Sequence, residues 1–174
     1  MSKRVIITGA ASGIGEATSA ALRAKGCNVI GLDIQAADNV IACDVRDQAS
    51  VDAAVAEAVE RLGGLDVLIN SAGVGDPQSA AERPDADALK VIDVNLLGTW
   101  RVTAAAIDSL RESRGRVVNI SSGLAHLTIP LATAYTLSKR GVVAYSDSLR
   151  LEMAGEVEVT TVRSGRRVRR TRND

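Results

Sequence analysis

The chain lacks phenylalanine altogether and has only one tryptophan and two tyrosines among its 174 residues. Apolar residues nevertheless make up 46% of the sequence, and many of them are alanine and valine. A core of such small side chains must be closely packed, which suits helices lying on a sheet. The length is that of one domain and is sufficient to bury a real core.

Residues that hold metals or form disulfides are also scarce. The chain has a single histidine, His126, and two cysteines, Cys27 and Cys43, each within an apolar run. This composition argues against a zinc or iron site and against a disulfide framework. The apolar run in the N-terminal "MSKRVIITG" is too short for a signal peptide or a membrane span. We therefore expect a soluble cytoplasmic protein with reduced thiols, no metal and no membrane partner.

The formal net charge of zero conceals an asymmetry. Residues 1–162 carry 15 basic and 20 acidic residues, whereas the last 12, "RSGRRVRRTRND", carry six arginines and one aspartate. Six arginines could contact phosphates on a nucleic acid or an anionic surface. The segment is short, however, the rest of the chain is acidic, and no other basic face extends it. We predict a single domain over residues 1–162, an arginine-rich disordered tail over 163–174, and no nucleic-acid partner.

Strand and helix patterns alternate along the chain. Strands are predicted at 4–8, 28–33, 39–44, 66–73, 115–122 and 156–162, and helices at 13–26, 50–64, 85–113 and 133–154. The strands are nearly continuous apolar runs, as required of a parallel sheet covered on both faces. The alternation predicts an α/β fold of the Rossmann type, a doubly wound parallel sheet of about six strands that binds its ligand at their carboxyl ends.

A glycine-rich turn, "TGAASGIG" at 8–15, joins the first strand to the first helix. Glycine permits a tight turn and a close approach of the backbone to a diphosphate, whose charge the helix N-terminus favours. Asp33 ends the second strand 20 residues after Gly13, the separation expected of a carboxylate that binds the ribose hydroxyls of a dinucleotide. The following "IQAA" offers no cation for a 2′-phosphate, so the sequence favours NAD over NADP.

The segment "AYTLSKRG" at 134–141 places Tyr135 four residues before Lys139, on one face of a helix. A nearby ammonium favours the phenolate form of a tyrosine and so makes it a better base. Taken alone, the pair is no more than the chance spacing of two helical residues.

Taken together, these motifs resemble the short-chain dehydrogenase/reductase family from Lys3 to about Val162. The family's T-G-x-x-x-G-x-G turn is matched by residues 8–15, its Asp-hydrophobe pair by residues 44–45, and its N-N-A-G strand end by Asn70-Ser71-Ala72-Gly73. Its Y-x-x-x-K signature matches Tyr135 and Lys139. The family serine, 13 residues before the tyrosine, corresponds to Ser122 rather than Ser121, and the active-site asparagine corresponds to Asn95 in "VIDVNLLG".

The resemblance implies an NAD-dependent oxidoreductase that interconverts a secondary alcohol and a ketone. Tyr135 is then the acid/base, Lys139 assists it and binds the nicotinamide ribose, Ser122 binds the substrate oxygen, and Asn95 holds a water in the proton relay. The residues expected to contact the cofactor are Gly9, Ser12, Gly13, Ile14, Gly15, Asp33, Asp44, Val45, Asn70, Ala72, Gly73, Tyr135 and Lys139. Ser121 is expected to bond the backbone, and His126 either faces the substrate or lies on a surface loop.

The resemblance also implies a homo-oligomer that pairs the helices containing Asn95 and Tyr135, with Leu96, Trp100 and Val143 as candidate contacts. Family members continue past the sixth strand into a loop that covers the substrate and a seventh strand, for which this sequence offers no candidate. A dimer is therefore expected rather than a tetramer. An alternative interpretation is a truncated or frame-shifted reductase that binds NAD but turns over poorly or not at all.

Overall fold

Apolar runs form six parallel strands in a computed structural model that describes residues 2–127 and 129–165. The strands are β1 (Arg4–Thr8), β2 (Asn28–Asp33), β3 (Val40–Ala42), β4 (Val67–Asn70), β5 (Arg116–Ser122) and β6 (Glu158–Ser164). They are ordered β3-β2-β1-β4-β5-β6, and every neighbouring pair is parallel. This order is that of a Rossmann-type doubly wound sheet, so the predicted fold class is confirmed.

Helices connect the strands. They are α1 (Gly13–Ala24), α2 (Gln48–Leu62), α3 (Ala86–Ile92), α4 (Gly98–Ser113) and α5 (Thr133–Glu152), with a π-helical segment at Asp93–Leu97 and a 3₁₀ turn at Gly123–Ala125. The N-terminal residues of α2 and α3 are capped by aspartates: Asp47 accepts from the N–H groups of two following residues, and Asp85 accepts from that of Ala88. No helix in the described part of the chain is long and apolar enough to cross a membrane.

The core lies on both faces of the sheet. Along β1, Ile6 points to one face and Val5 and Ile7 to the other, and all three are almost completely inaccessible to solvent. Burial on both faces explains why the strands are continuous apolar runs rather than alternating ones. The strand order reverses between β1 and β4, which places the crevice for a ligand at the carboxyl ends of these two strands.

The structure differs from the predicted elements mainly in the long helix at 85–113. That helix is divided into α3, the π-helical segment and α4. The apolar spacing continues through all three parts, so periodicity alone does not reveal the extra residue in the turn. In addition, β3 is shorter than predicted, and β6 ends at Ser164, two residues later. The predicted tail at 163–174 therefore begins within a strand, and its residues 166–174 lie outside the described residues.

Candidate active site

A cavity of about 440 Å³ opens at the carboxyl ends of β1, β2 and β4. Its volume is in the range of small-molecule sites. It is lined by ten of the residues expected to contact a cofactor: Gly9, Ser12, Gly13, Ile14, Gly15, Asp33, Asp44, Val45, Ala72 and Gly73. These residues come from four separate segments of the chain, and the crossover at the switch point brings them together.

Asn70 is also among the residues expected to contact the cofactor, but it differs from those that line the cavity. It does not line the cavity and is only 3% exposed. Its amide nitrogen donates to the hydroxyl of Thr103 at 2.9 Å and to Oδ1 of Asn119 at 2.8 Å. Asn70 therefore links β4 to α4 and β5.

The glycine turn is shaped by close backbone approaches. Gly9 has φ +68°, and a Cβ at this position would lie 2.8 Å from Cα of Ala72. A Cβ at Gly15 would collide with the carbonyl oxygen of Gly9. Ser12, the N-cap of α1, makes no side-chain cap bond, which leaves the first N–H groups of the helix available to an anion. The turn thus fits the diphosphate of a dinucleotide.

The carboxylate of Asp33 is held at the rim of the cavity by two backbone groups. Its Oδ2 accepts from the N–H of Ala11 at 3.0 Å, and its Oδ1 accepts from the N–H of Gln35 at 3.3 Å. A carboxylate has about four acceptor positions, so lone pairs remain for hydroxyl donors such as those of a ribose.

The cavity is also lined by two cationic residues that were not predicted from the sequence, Arg46 and Lys90. Arg46 is engaged by Asp44, to which its Nη2 donates at 2.6 Å and its Nε at 3.0 Å. This ion pair lowers the pKa of Asp44 through the side-chain hydrogen bond from Arg46. A clue to the pair was present in the sequence, since the two residues are two positions apart, but their common orientation toward the cavity depends on the fold.

The predicted catalytic pair lies on α5. The Nζ atom of Lys139 is 5.8 Å from the ring centroid of Tyr135 and donates to the carbonyl of Ile120 at 2.9 Å. Lys139 is only 5% exposed, and this burial lowers the pKa of its ammonium to about 8. A charged group in such a position is destabilised by lost hydration, and its proton is therefore easier to remove than that of an ordinary lysine.

Gly73 connects this pair to the cavity. A Cβ at Gly73 would lie 3.3 Å from Oδ1 of Asn95 and 3.4 Å from Nζ of Lys139, and the residue also lines the cavity. Two residues further on, a Cβ at Gly75 would lie 3.5 Å from Cδ2 of Tyr135. The chain that leaves β4 therefore runs from the cavity past the lysine, the asparagine and the tyrosine.

Asn95 lies in the π-helical segment and is fully buried. Its amide accepts from the N–H of Val74 at 2.8 Å and donates to the carbonyl of Val74 at 2.9 Å. It also donates to the hydroxyl of Ser138 at 3.0 Å, and Ser138 donates to the carbonyl of Tyr135 at 2.8 Å. Asn95 thus joins the segment after β4 to α5, and π-helical turns of this kind are frequent at functional sites.

The two serines at the end of β5 have different partners. The hydroxyl of Ser122 accepts from the N–H of Leu124 at 3.2 Å, where it caps the 3₁₀ turn. The hydroxyl of Ser121 donates to the carbonyl of Lys139 at 3.0 Å, a bond to the backbone as expected. Ser121 therefore fixes α5 against the sheet, and Ser122 begins the 3₁₀ turn between β5 and α5. His126 directly follows this turn and is exposed.

Thr8, the first residue of the glycine-turn motif, also belongs to the site, although it is not among the predicted site residues. Its hydroxyl accepts from the N–H groups of Ser71 and Ala72, each at 3.0 Å. These bonds hold the segment after β4 against the end of β1. The partners are more than 60 positions apart, so no local pattern could reveal them.

Comparisons with known proteins agree with this geometry. The family model described as short chain dehydrogenase matches residues 3–168. Oxidoreductase UcpA from Salmonella typhimurium is 38% identical over 168 residues, which cover 87% of this chain and 64% of that protein. The chain thus spans somewhat less than two thirds of the length of this curated relative.

Two solved structures extend the likeness to the fold. The ligand-free aldohexose dehydrogenase of Thermoplasma acidophilum superimposes with a TM-score of 0.88 at 31% identity, covering 94% of this chain and 67% of that one. An alcohol dehydrogenase from Thermococcus sibiricus, complexed with 5-hydroxy-NADP, gives a TM-score of 0.88 at 27% identity, covering 95% and 77%.

Proposed function

Because the chain belongs to the short-chain dehydrogenase family, we propose that it is an NAD-dependent oxidoreductase that interconverts a secondary alcohol and a ketone. The observation that carries the proposal is the position of the two α5 residues along the segment after β4. Lys139 lies beside Gly73, which lines the cavity of the glycine turn, and Tyr135 lies beside Gly75, two residues further on. When bound, the nicotinamide dinucleotide accepts or supplies the hydride.

Tyr135 acts as the acid/base in this proposal. In the direction of oxidation, the substrate hydroxyl transfers its proton to the tyrosine oxygen and hydride leaves the carbinol carbon. The carbon–oxygen single bond becomes the double bond of a ketone. The Lys139 ammonium lies 5.8 Å from the centroid of the tyrosine ring, where it would assist Tyr135 and bind the nicotinamide ribose. Ser122 orients the substrate oxygen, and Asn95 holds the segment after β4 in place through its bonds to Val74.

The glycine turn and the uncapped N-terminus of α1 would hold the diphosphate, and Asp33 would accept hydrogen bonds from the adenosine ribose. An anion at this position would repel a 2′-phosphate, which supports NAD as the cofactor. By contrast, the Thermococcus sibiricus structure is complexed with 5-hydroxy-NADP. In the present chain the proposed preference for NAD over NADP rests on Asp33. The nearby Arg46 is already paired with Asp44.

The substrate would bind against an apolar wall. The segment between β5 and α5 exposes Leu127, Ile129 and Leu131, and Val74 after β4 is also exposed. These side chains suit steroid, acyl or cyclic alcohols alike.

We also propose a homodimer formed through α4 and α5. Between these helices lies an apolar groove of about 570 Å³, which contains Leu96 and the exposed Trp100 and Leu97. The Trp100 and Tyr145 rings are in contact, with centroids 5.4 Å apart. A second copy of the same groove would cover these rings. Val143, named from the sequence as a further contact, does not line the groove.

The test of the enzyme proposal is Tyr135→Phe against the wild type. We expect the variant to lose turnover of secondary alcohols with NAD while it binds NADH with nearly the same affinity, measured by calorimetry. A variant with normal kcat would refute Tyr135 as the acid/base. Binding of NADH by the wild type without turnover of any steroid, acyl or cyclic alcohol would instead favour a nucleotide-binding protein.

A further inference from the structure

Two loops that flank Tyr135 are joined to each other by Gln78. The backbone N–H of Gln78 donates to the carbonyl of Leu131 at 2.9 Å, and Gln78 and Ala132 form an isolated parallel bridge. Gln78 lies in the segment after β4, and Leu131 and Ala132 lie directly before α5. The bridge therefore connects the loop that leaves the cavity to the first turn of the helix that carries Tyr135.

The side chain of Gln78 reaches a different element. Its Nε2 donates to both carboxylate oxygens of Asp85, at 3.0 and 3.1 Å. Asp85 is the N-cap of α3 and accepts from the N–H of Ala88 at 2.8 Å. These hydrogen bonds lower the pKa of Asp85, with the backbone bond from Ala88 as the largest cause, so the cap remains an anion. We call the three residues Gln78, Asp85 and Leu131 the loop clasp.

The two helices joined by the clasp are those that enclose the tyrosine. Tyr135 packs against a small buried cluster formed by Ala88 and Val91 of α3 and Ala134 of α5. The segment between β4 and Gln78 passes the ring at Gly75. Asn95 holds the start of this segment at Val74, and the clasp holds its far end.

Leu131 provides a second, independent observation. It has φ +59°, a left-handed conformation that is unfavourable for a side chain with a Cβ, and its own side chain is exposed and contributes little burial to offset this strain. Its carbonyl accepts the bond from Gln78. Strain of this kind persists only where the surroundings enforce it, and it occurs often at active sites.

We infer that Gln78 is a positioning residue for Tyr135: through Asp85 and Leu131 it sets the relative position of α3 and α5, and hence the orientation of the tyrosine ring toward the substrate. The assignment of a reaction to Tyr135 rests on the proposed function. The coupling between Gln78 and the ring rests on the contacts alone.

The experiment uses the full chain with Gln78→Ala, and Gln48→Ala as the matched control. Gln48 makes the same kind of bond, from its Nε2 to Oδ1 of Asp52 at 2.7 Å, but on α2 and outside the site. The variants are prepared in a Tyr145→Phe background with fluorotyrosine, so that Tyr135 gives the only fluorine NMR signal of the chain. Gln78→Ala should shift or broaden this signal, and Gln48→Ala should leave it unchanged.

Asp85→Asn and Asp85→Ala form a second pair. The asparagine retains an oxygen that can accept from both Ala88 and Gln78, so Asp85→Asn should keep the Tyr135 signal of the parent chain. Asp85→Ala should shift or broaden this signal as Gln78→Ala does. In the Tyr145→Phe background or in the wild type, Gln78→Ala should lower kcat for any substrate that the enzyme turns over by roughly tenfold to a hundredfold. The Kd for NADH should change less than twofold, because the adenosine half of the site does not include the clasp.

An unchanged Tyr135 signal in Gln78→Ala, or an equal change in Gln48→Ala, would overturn the inference. The outcome is separate from that of the proposed function: if the wild type turns over no alcohol, the reaction is refuted, and the fluorine signal still decides whether Gln78 positions the ring.

Discussion

Replacement of Lys139 by methionine should change how the stability of the protein depends on pH. Methionine keeps a similar length and apolar stem but removes the ammonium. Burial lowers the pKa of Lys139 from 10.5 to about 8 in the folded protein. The unfolded chain therefore holds more protons than the folded one between these two pH values, so the free energy of unfolding of the wild type rises with pH across that window.

The size of the effect follows from the pKa difference. Each pKa unit corresponds to about 1.4 kcal/mol, so the full penalty for burying the ammonium is about 3 kcal/mol below pH 8 and disappears above pH 10.5. Between about pH 7 and about pH 9.5, roughly 2 kcal/mol of it should be relieved. At a single pH the sign of the change is less informative, because the variant also leaves the carbonyl of Ile120 without its donor.

The assay is urea unfolding of the apo protein at several pH values, for wild type and Lys139→Met. Both should be compared in a Tyr135→Phe background, which removes the phenol as a coupled group. The difference in unfolding free energy, wild type minus variant, should rise by about 2 kcal/mol from about pH 7 to about pH 9.5. Lys25→Met, at an exposed lysine after α1, serves as the control and should give a flat difference. A flat difference for Lys139→Met would show that its ammonium is hydrated in the folded state, and the reasoning would be refuted.

Three other changes test the cofactor half and the interface. Asp33→Ala should weaken NADH and strengthen NADPH, because it removes both the ribose acceptor and the repulsion of a 2′-phosphate; equal Kd values for the two cofactors in the wild type would contradict this. Gly15→Ala should abolish NADH binding in calorimetry, because the new methyl group would collide with the carbonyl of Gly9. Gly26→Ala is the control, since an added Cβ there would meet open space, although φ is +80°. This control should lower the free energy of unfolding by about 1 kcal/mol and leave NADH binding intact. Trp100→Arg should convert a dimer to a monomer in sedimentation, since a charge would enter the groove between α4 and α5; a wild type that sediments as a monomer at high concentration would refute the interface.

The cofactor half of the site was largely predictable from local sequence. The glycine turn between β1 and α1, and an acid at the end of β2, depend on backbone requirements within about 25 residues, and ten of the predicted contacts line the cavity. Asn70 was less predictable, since its position in the N-N-A-G motif does not say whether its amide faces the cavity or the interior. The structure places it against Thr103 and Asn119, each more than 30 positions away.

The sequence by itself determined the order of strands and helices, the sheet buried on both faces, the glycine turn and the helical spacing of Tyr135 and Lys139, because each follows from periodicity, propensity or a short motif. The tertiary structure alone decided the π-helical turn at Asn95, the bonds from Asn95 to Val74 and Ser138, the burial of Lys139 and the loop clasp of Gln78. These features depend on which segments the crossover brings side by side and on the register between them. The bonds from Asn95 to Val74 and Ser138 and from Gln78 to Leu131 join residues 21 to 53 positions apart. Their geometry is set by packing rather than by the residues that flank them in the chain.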